Sequence, residues 1–357
     1  MRPIWFAASG LAVILAILAF LLVDNVPGSA VEEHPDDDAG QRLTPISATV
    51  VVEAGASAAE IGTALIDAGL IDSPRRFETL VSLLGYDTSL AAGTYEFEDG
   101  LTTTEIIERI RAGITAPLVV TIPEGLRIEE IATRLEDAGI VQAVDFLIAT
   151  RNPGNAVGTF AGDRPAGTKI EGYLFPSTYR FSARANADAI VRAMLKRFDD
   201  QLTASLRAAI AASGETVHTV LTIASIVERE AAVARERSTI AAVFWNRLAQ
   251  AIPLQADPTV QYALTEDPAS VAAFGYWKTS LDTLDLTFES TFNTYRIGGL
   301  PPGPIAAPGL AAIEATIFPA ETTFLYFVGR GDGTHAFADT FEEHLRNVIR
   351  FQSEEAE

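Results

Sequence analysis

Hydrophobic and polar positions divide this chain into three regimes. Residues 4–23 form a 20-residue apolar run without a charge, long enough as a helix to span ~30 Å of hydrocarbon. Residues 25–44 reverse that pattern, with Pro, Gly, Asp and Glu and almost no large apolar side chains. They predict a flexible acidic linker. From residue 47 onward, short β-branched runs alternate with stretches whose apolar positions recur at helical spacing.

The third regime contains an internal repeat at an offset of 70 residues. EAGASAAEIGTALIDAGLI begins at Glu53, and PEGLRIEEIATRLEDAGIV begins at Pro123. Gly55 matches Gly125, Glu60 matches Glu130, and Leu65, Asp67, Ala68 and Gly69 match Leu135, Asp137, Ala138 and Gly139. Each copy follows a β-branched run, ATVVV or LVVTI, and predicts strand, tight Gly turn, amphipathic helix and a Gly at the helix end. A second helix is expected after each, over SPRRFETLVSLLG and AVDFLIATRN. Between the copies, residues 93–97 predict a strand and Thr103 or Thr104 a cap for a helix starting at Glu105. The region 47–117 therefore predicts a small mixed module of two strands and about three helices.

From 118 to 357 the expectation is one helix-rich unit. Residues 173–181 are aromatic and rich in β-formers, and 186–213 read as helical. Residues 310–317 predict a helix, TFLYFVG a strand, and GRGDGTHAF the turn into a second strand as a hairpin. A last helix is expected over 340–354. Strands interspersed with helices make the part beyond the linker α+β.

Charge orients the apolar run. Arg2 and the amino terminus precede it, whereas Asp24, Glu32, Glu33, Asp36, Asp37 and Asp38 follow. Residues 1–3 are expected in the cytoplasm, 4–24 as a single transmembrane helix, 25–46 as the linker, and the remainder outside a bacterial inner membrane. The competing expectation is a cleaved signal peptide with Gly28, Ser29 and Ala30 as the small-residue site. The apolar run exceeds the ~7–15 residues of such a core, which favours the anchor.

The chain carries 47 acidic and 26 basic residues, a net charge of -21. Such a surface repels phosphate backbones and argues against nucleic-acid binding. There is no cysteine, and the four histidines are His34, His218, His335 and His344. Thiolate chemistry, a Cys/His zinc site and an HExxH pair are excluded. Neither metal nor cofactor is expected.

The segment VLTIASIVEREAAVARERSTIAAVFWNRL, residues 220–248, holds the most distinctive chemistry. Its apolar stripe is Val220, Ile223, Ala224, Val227 and Ala231, and Glu228 and Glu230 close the run. At ~100° per residue the two glutamates fall about 80° to either side of the stripe. That separation argues against a close carboxylate dyad. It does not choose between them, nor exclude boundary carboxylates paired with Arg229, Arg235 or Arg237. A carboxyl held against an apolar face resists ionisation and can donate a proton near neutral pH. Further polar groups lie in LQADPTVQY (Gln255, Asp257, Thr259, Gln261, Tyr262) and in TFNTYRIGGLPPGPI (Asn293, Thr294, Tyr295). A Pro-Gly loop bearing amides, hydroxyls and tyrosine suits sugar hydroxyls, although each residue alone is an ordinary turn or cap.

IASIVERE, AAVFWNRL, LQADPTVQYAL, YLFPSTYRF, FNTYRIGGLPPGPIAAPG and LYFV followed by GTHAF resemble, in that order, the YceG-like (MltG) family of endolytic murein transglycosylases. The resemblance covers the anchor and essentially all of residues 47–350. It implies a LysM-like first module and a catalytic unit over 118–357. It also implies endolytic cleavage between N-acetylmuramic acid and N-acetylglucosamine in nascent peptidoglycan, leaving 1,6-anhydro ends and setting where strands terminate. Glu230, the second glutamate of the ExE pair, is then the single acid/base. Glu228, Gln255, Asp257, Thr259, Asn293, Thr294 and Tyr295 are supporting or substrate-binding residues. Ala231 stands where many members carry a small hydroxyl residue. Glycan strands, the inner membrane and peptidoglycan synthases are the implied partners. The rival from another class is a non-catalytic, membrane-anchored murein-binding scaffold.

Overall fold

The computed structural model describes residues 47–113, 116–151, 164–165, 167–183 and 185–352. The expected membrane helix over 4–24 and the linker over 25–46 lie outside the described residues. Among the described residues, no single helix is long and apolar enough to cross a membrane. The chain divides into two units, Met1–Pro117 and Leu118–Glu357. Both mix helices with two-stranded antiparallel sheets.

In the first unit, β1 (Ser47–Val52) pairs with β2 (Gly93–Glu98) in a register running from Ser47 opposite Glu98 to Val52 opposite Gly93. Tyr95 and Phe97 alternate inward on β2 while Thr94 and Glu96 face out, the period of a half-buried strand. Helices α1 (Ala58–Asp67), α2 (Pro74–Leu83) and α3 (Thr103–Ala112) close the core. Leu65, Phe77, Ile106, Ile107 and Ile110 pack there with Tyr95 and Phe97. The cap of α3 is Thr102, not Thr103 or Thr104. Thr102 is extended and accepts from the Glu105 amide, while the Glu105 carboxylate accepts from the Thr102 amide. That reciprocal box satisfies two end amides at once and fixes the start.

In the second unit, β3 (Leu118–Ile122) pairs with β4 (Ser177–Phe181), Leu118 lying opposite Phe181. Helices α4 (Ile128–Asp137) and α5 (Ala143–Arg151) follow β3. The repeated glycines hold the left-handed conformations their turns require: Gly55 and Gly125 at φ 83° and 77°, and Gly69 and Gly139 at 72° and 68°. Residues 186–213 are two helices rather than one, α6 (Ala187–Gln201) and α7 (Ala204–Ser213). Leu202 leaves helical geometry at ψ 76° and is buried, and the Thr203 hydroxyl accepts from the Leu206 amide to start the second.

Helix α8 (Val217–Glu230) is the centre of this unit. It packs against α7, α9 (Arg237–Ala249), α10 (Asp257–Leu264) and α12 (Leu310–Ile317). A shorter helix, α11 (Pro268–Phe274), lies between α10 and α12 in the chain. The expected one-sided stripe on α8 is therefore a nearly all-round core, with every residue from 217 to 227 buried except the half-buried Thr219. Thr222 and Ser225 enter that core because their hydroxyls donate to the carbonyls of His218 and Thr222. The Ser225 oxygen also accepts from the Ile305 amide. Strands β5 (Tyr326–Gly329) and β6 (His335–Ala338) form the hairpin, β5 starting three residues later than TFLYFVG implies. Helix α13 (Phe341–Gln352) closes the described chain.

Candidate active site

Helix α8 ends where its two glutamates meet different surroundings. One carboxylate oxygen of Glu228 accepts from Arg237 Nη2 at 3.3 Å, and the other accepts from the Gly309 amide at 3.0 Å. This glutamate ties the start of α9 and of α12 to the end of α8. Glu230 forms no hydrogen bond or ion pair among the described residues. It lines a cavity of about 400 Å³ together with Gln255, Asp257, Tyr295, Arg247, His335 and His344. Ala231 is the C-cap of α8, with extended dihedrals that turn the chain away beyond Glu230.

Protein atoms crowd the Glu230 carboxyl although it remains open to the cavity. Burial, and secondarily the negative charge of Asp257, push its pKa up to about 8. The neighbouring charge is thus Asp257 and not Glu228, the other glutamate of the ExE pair, which is turned away to Arg237. Tyr295 donates from its hydroxyl to Asp257 at 2.7 Å. Burial first, and that hydrogen bond second, hold the phenol above its ordinary range. Tyr295 therefore stays a donor at neutral pH.

The loop before α10 and the loop around residue 294 are joined by buried hydroxyls. Thr259 and Thr294 hydroxyls lie 2.8 Å apart, Thr294 Oγ1 accepts from the Ala256 amide at 3.0 Å, and Thr259 donates to the Ala256 carbonyl. Asn293 donates from Nδ2 to the carbonyls of Leu286 and Phe288 and accepts from the Tyr295 amide. Thr259, Asn293 and Thr294 are fully buried and do not line the cavity. They hold the loops, whereas Gln255, Asp257 and Tyr295 face the cavity. Gln261 also turns away, donating from Nε2 to the Lys278 carbonyl. Gln255 adopts φ 49°, a left-handed conformation costly for a residue with a Cβ. Its amide is fastened to the Thr294 carbonyl at 3.2 Å, so the loop on the other side maintains the strained turn.

Three cavity groups were not among the residues singled out in the sequence. Arg247, from α9, donates through Nε to the Leu325 carbonyl at 2.6 Å and through Nη1 to the Leu254 carbonyl at 2.8 Å. His335 opens β6, and Glu236 accepts from both its amide and its Nδ1, the latter at 2.8 Å. His344, on α13, has its pKa lowered by burial and by the Arg247 charge. The motifs of Arg247 and His335, VFWNRL and GTHAF, were visible in the chain. Their convergence was not, because His335 stands 105 residues beyond Glu230.

A profile of the YceG-like family matches residues 50–350, and the chain belongs to that family. The endolytic murein transglycosylase of Bacillus subtilis (strain 168) is 30% identical over 318 residues, covering 86% of this chain and 85% of that protein. The endolytic murein transglycosylase of Streptococcus pneumoniae serotype 2 is 30% identical over 378 residues, covering 94% of this chain and 64% of its own length. Among solved structures, a yceG-like protein of Listeria monocytogenes aligns with a TM-score of 0.58 at 34% identity, over 84% of this chain and 98% of that one.

Proposed function

We propose that the protein is an endolytic lytic transglycosylase that cuts the N-acetylmuramic acid–N-acetylglucosamine backbone of peptidoglycan, with Glu230 as its one acid and base. The observation that carries this reading is the contrast at the end of α8. Both oxygens of Glu228 are engaged, whereas Glu230 is unpartnered and open to the cavity, with its pKa raised to about 8. Such a carboxyl is neutral at pH 7 and can give up a proton. The shared family and the names of its relatives support the substrate class.

In the reaction, Glu230 donates its proton to the glycosidic oxygen as the bond from the muramyl C1 breaks. The carboxylate so formed takes the proton of the muramyl C6 hydroxyl as O6 bonds to C1. The products are a free N-acetylglucosamine hydroxyl and a 1,6-anhydro end, no water is consumed, and Glu230 is returned protonated. Tyr295, whose proton is held by Asp257 and whose oxygen can still accept, and Gln255 are placed to bind the sugar. Anchoring by residues 4–24, with the second unit outside the inner membrane beside newly made strands and synthases, belongs to the same proposal. So does a role in ending strand elongation.

The test is digestion of purified murein by the full-length chain, read as anhydro-ended products by mass. Glu230→Gln should lower product formation by roughly 10²–10⁴-fold. Near-normal release by that variant refutes the role of Glu230. Binding of murein by the unaltered chain with no anhydro products identifies a scaffold instead.

A further inference from the structure

Arg247 is a cavity cation that the cleavage chemistry leaves unused. The residue is buried, with 8% exposure, and lines the same cavity as Glu230. Three other partly or largely buried cations of this unit have acidic partners, Arg127 with Glu129, Arg237 with Glu228 and Lys278 with Asp285, whereas the half-buried Arg229 donates to the Gly125 carbonyl and stacks on Trp277. Arg247 has no ion pair among the described residues, in a chain that carries 47 acids against 26 bases. Its Nε and Nη1 are held by the carbonyls of Leu325, Pro253 and Leu254, with Gln255 Oε1 at 3.4 Å. Tyr326 lies 5.0 Å from the guanidinium carbon. The remaining nitrogen, Nη2, makes no hydrogen bond among the described residues and is not sealed from the cavity.

A buried cation that lacks a counter-charge is costly and persists where a ligand supplies one. Three carbonyls from two loops fix the guanidinium plane, so the one free nitrogen, Nη2, is aimed before any ligand arrives and can give a charge-assisted hydrogen bond to a carboxylate. We infer that Arg247 is a substrate-binding residue that takes a carboxylate carried by the muramyl side of the glycan. The inference rests on the reading of this cavity as a glycan-cleaving site. Two sources offer that chemistry: the lactyl carboxylate of a strand stripped of peptide, and a stem-peptide carboxylate of an intact one. If the first is the ligand, hydrolysis of the muramyl–peptide amide must precede cleavage here.

The test is calorimetric binding of glycan strands to the full-length chain in detergent, carrying Glu230→Gln so that no strand is cut. Four strands are compared: peptide-free, peptide-free with its lactyl carboxylates amidated, peptide-bearing, and peptide-bearing with its stem carboxylates amidated. The expected result is roughly tenfold or greater weakening on amidation within one of the two pairs. The pair that weakens names the source. Adding Arg247→Gln should erase the difference between free and amidated strands, and Arg247→Lys should retain part of it. Equal binding of free and amidated strands in both pairs overturns the inference. So does a carboxylate preference that survives Arg247→Gln. The strand comparison uses the native arginine, so it decides even where Arg247→Gln does not fold. Cleavage assays on the unaltered chain separate the two claims. Equal cleavage of free and amidated strands counts against Arg247 alone. A carboxylate preference in binding with no anhydro products counts against the cleavage chemistry alone.

Discussion

Two glutamates, Glu171 and Glu230, are neutral in the folded chain at pH 7 for the same physical reason. Burial raises each from 4.5 to about 8, with Glu129 adding to the effect at Glu171 and Asp257 at Glu230. Glu171 accepts from the Ile128 amide through one oxygen, at 3.0 Å, and its other oxygen is unpaired. In the unfolded chain both ionise above about pH 4.5. The stability they allow is therefore complete below that pH and is lost as pH rises through about 8. Glu171→Gln keeps the acceptor for Ile128 and removes the ionisation. Its melting temperature should match the parent near pH 4 and exceed it by a growing margin toward pH 9, as read by calorimetry across that range. For catalysis the same sign holds. On the proposed chemistry Glu230 is the proton donor, and its proton is present below about pH 8, so the rate of anhydro-product release should fall on the alkaline side of that value.

At the scale of elements, the site depends on two loops being held together rather than on α8 alone. Thr294 accepts from the Ala256 amide and meets the Thr259 hydroxyl in a dry interior. Thr294→Val preserves shape but strands that amide, at a cost of about 1–3 kcal/mol. Gln255 and Asp257 flank Ala256, so murein cleavage should drop beyond what the loss of folded protein accounts for. Denaturant unfolding together with the cleavage assay measures both. Gly172 marks another close approach. It lies at φ 82°, and a Cβ there would come within 2.4 Å of Pro304. Gly172→Ala should cost roughly 3 kcal/mol or more, from overpacking and left-handed strain together. Gly214, at φ 80° with nothing within 4 Å, should show the strain alone, about 1–2 kcal/mol.

Across the whole molecule, the two units close separate cores that share no buried residue. Phe97 is fully enclosed in the first, stacked on Tyr95 at 5.9 Å. Phe97→Ala should lower the stability of that unit by about 3–5 kcal/mol, visible as an earlier loss of its protected amides in hydrogen exchange. The repeat of strand, Gly turn and paired helices was legible in the chain because its signals are local: β-branched runs, capping residues and glycines at positive φ. The same locality explains the misreadings. Helical periodicity on α8 presents one face, whereas four neighbouring helices bury it nearly all round. A helical reading of 186–213 did not show the break at the buried Leu202, where the chain leaves helical geometry. Sequence alone pointed to the ExE pair and to the loops bearing Gln255, Asp257 and Tyr295. The family resemblance named Glu230 over Glu228, but only the tertiary structure shows their different surroundings: Glu228 is drawn to Arg237 and Gly309, and Glu230 is left facing a cavity beside Asp257, Arg247 and His335. The physical reason is that desolvation and charge pairing are properties of what surrounds a side chain. For Glu230 those surroundings include residues far along the chain, His335 and His344 among them.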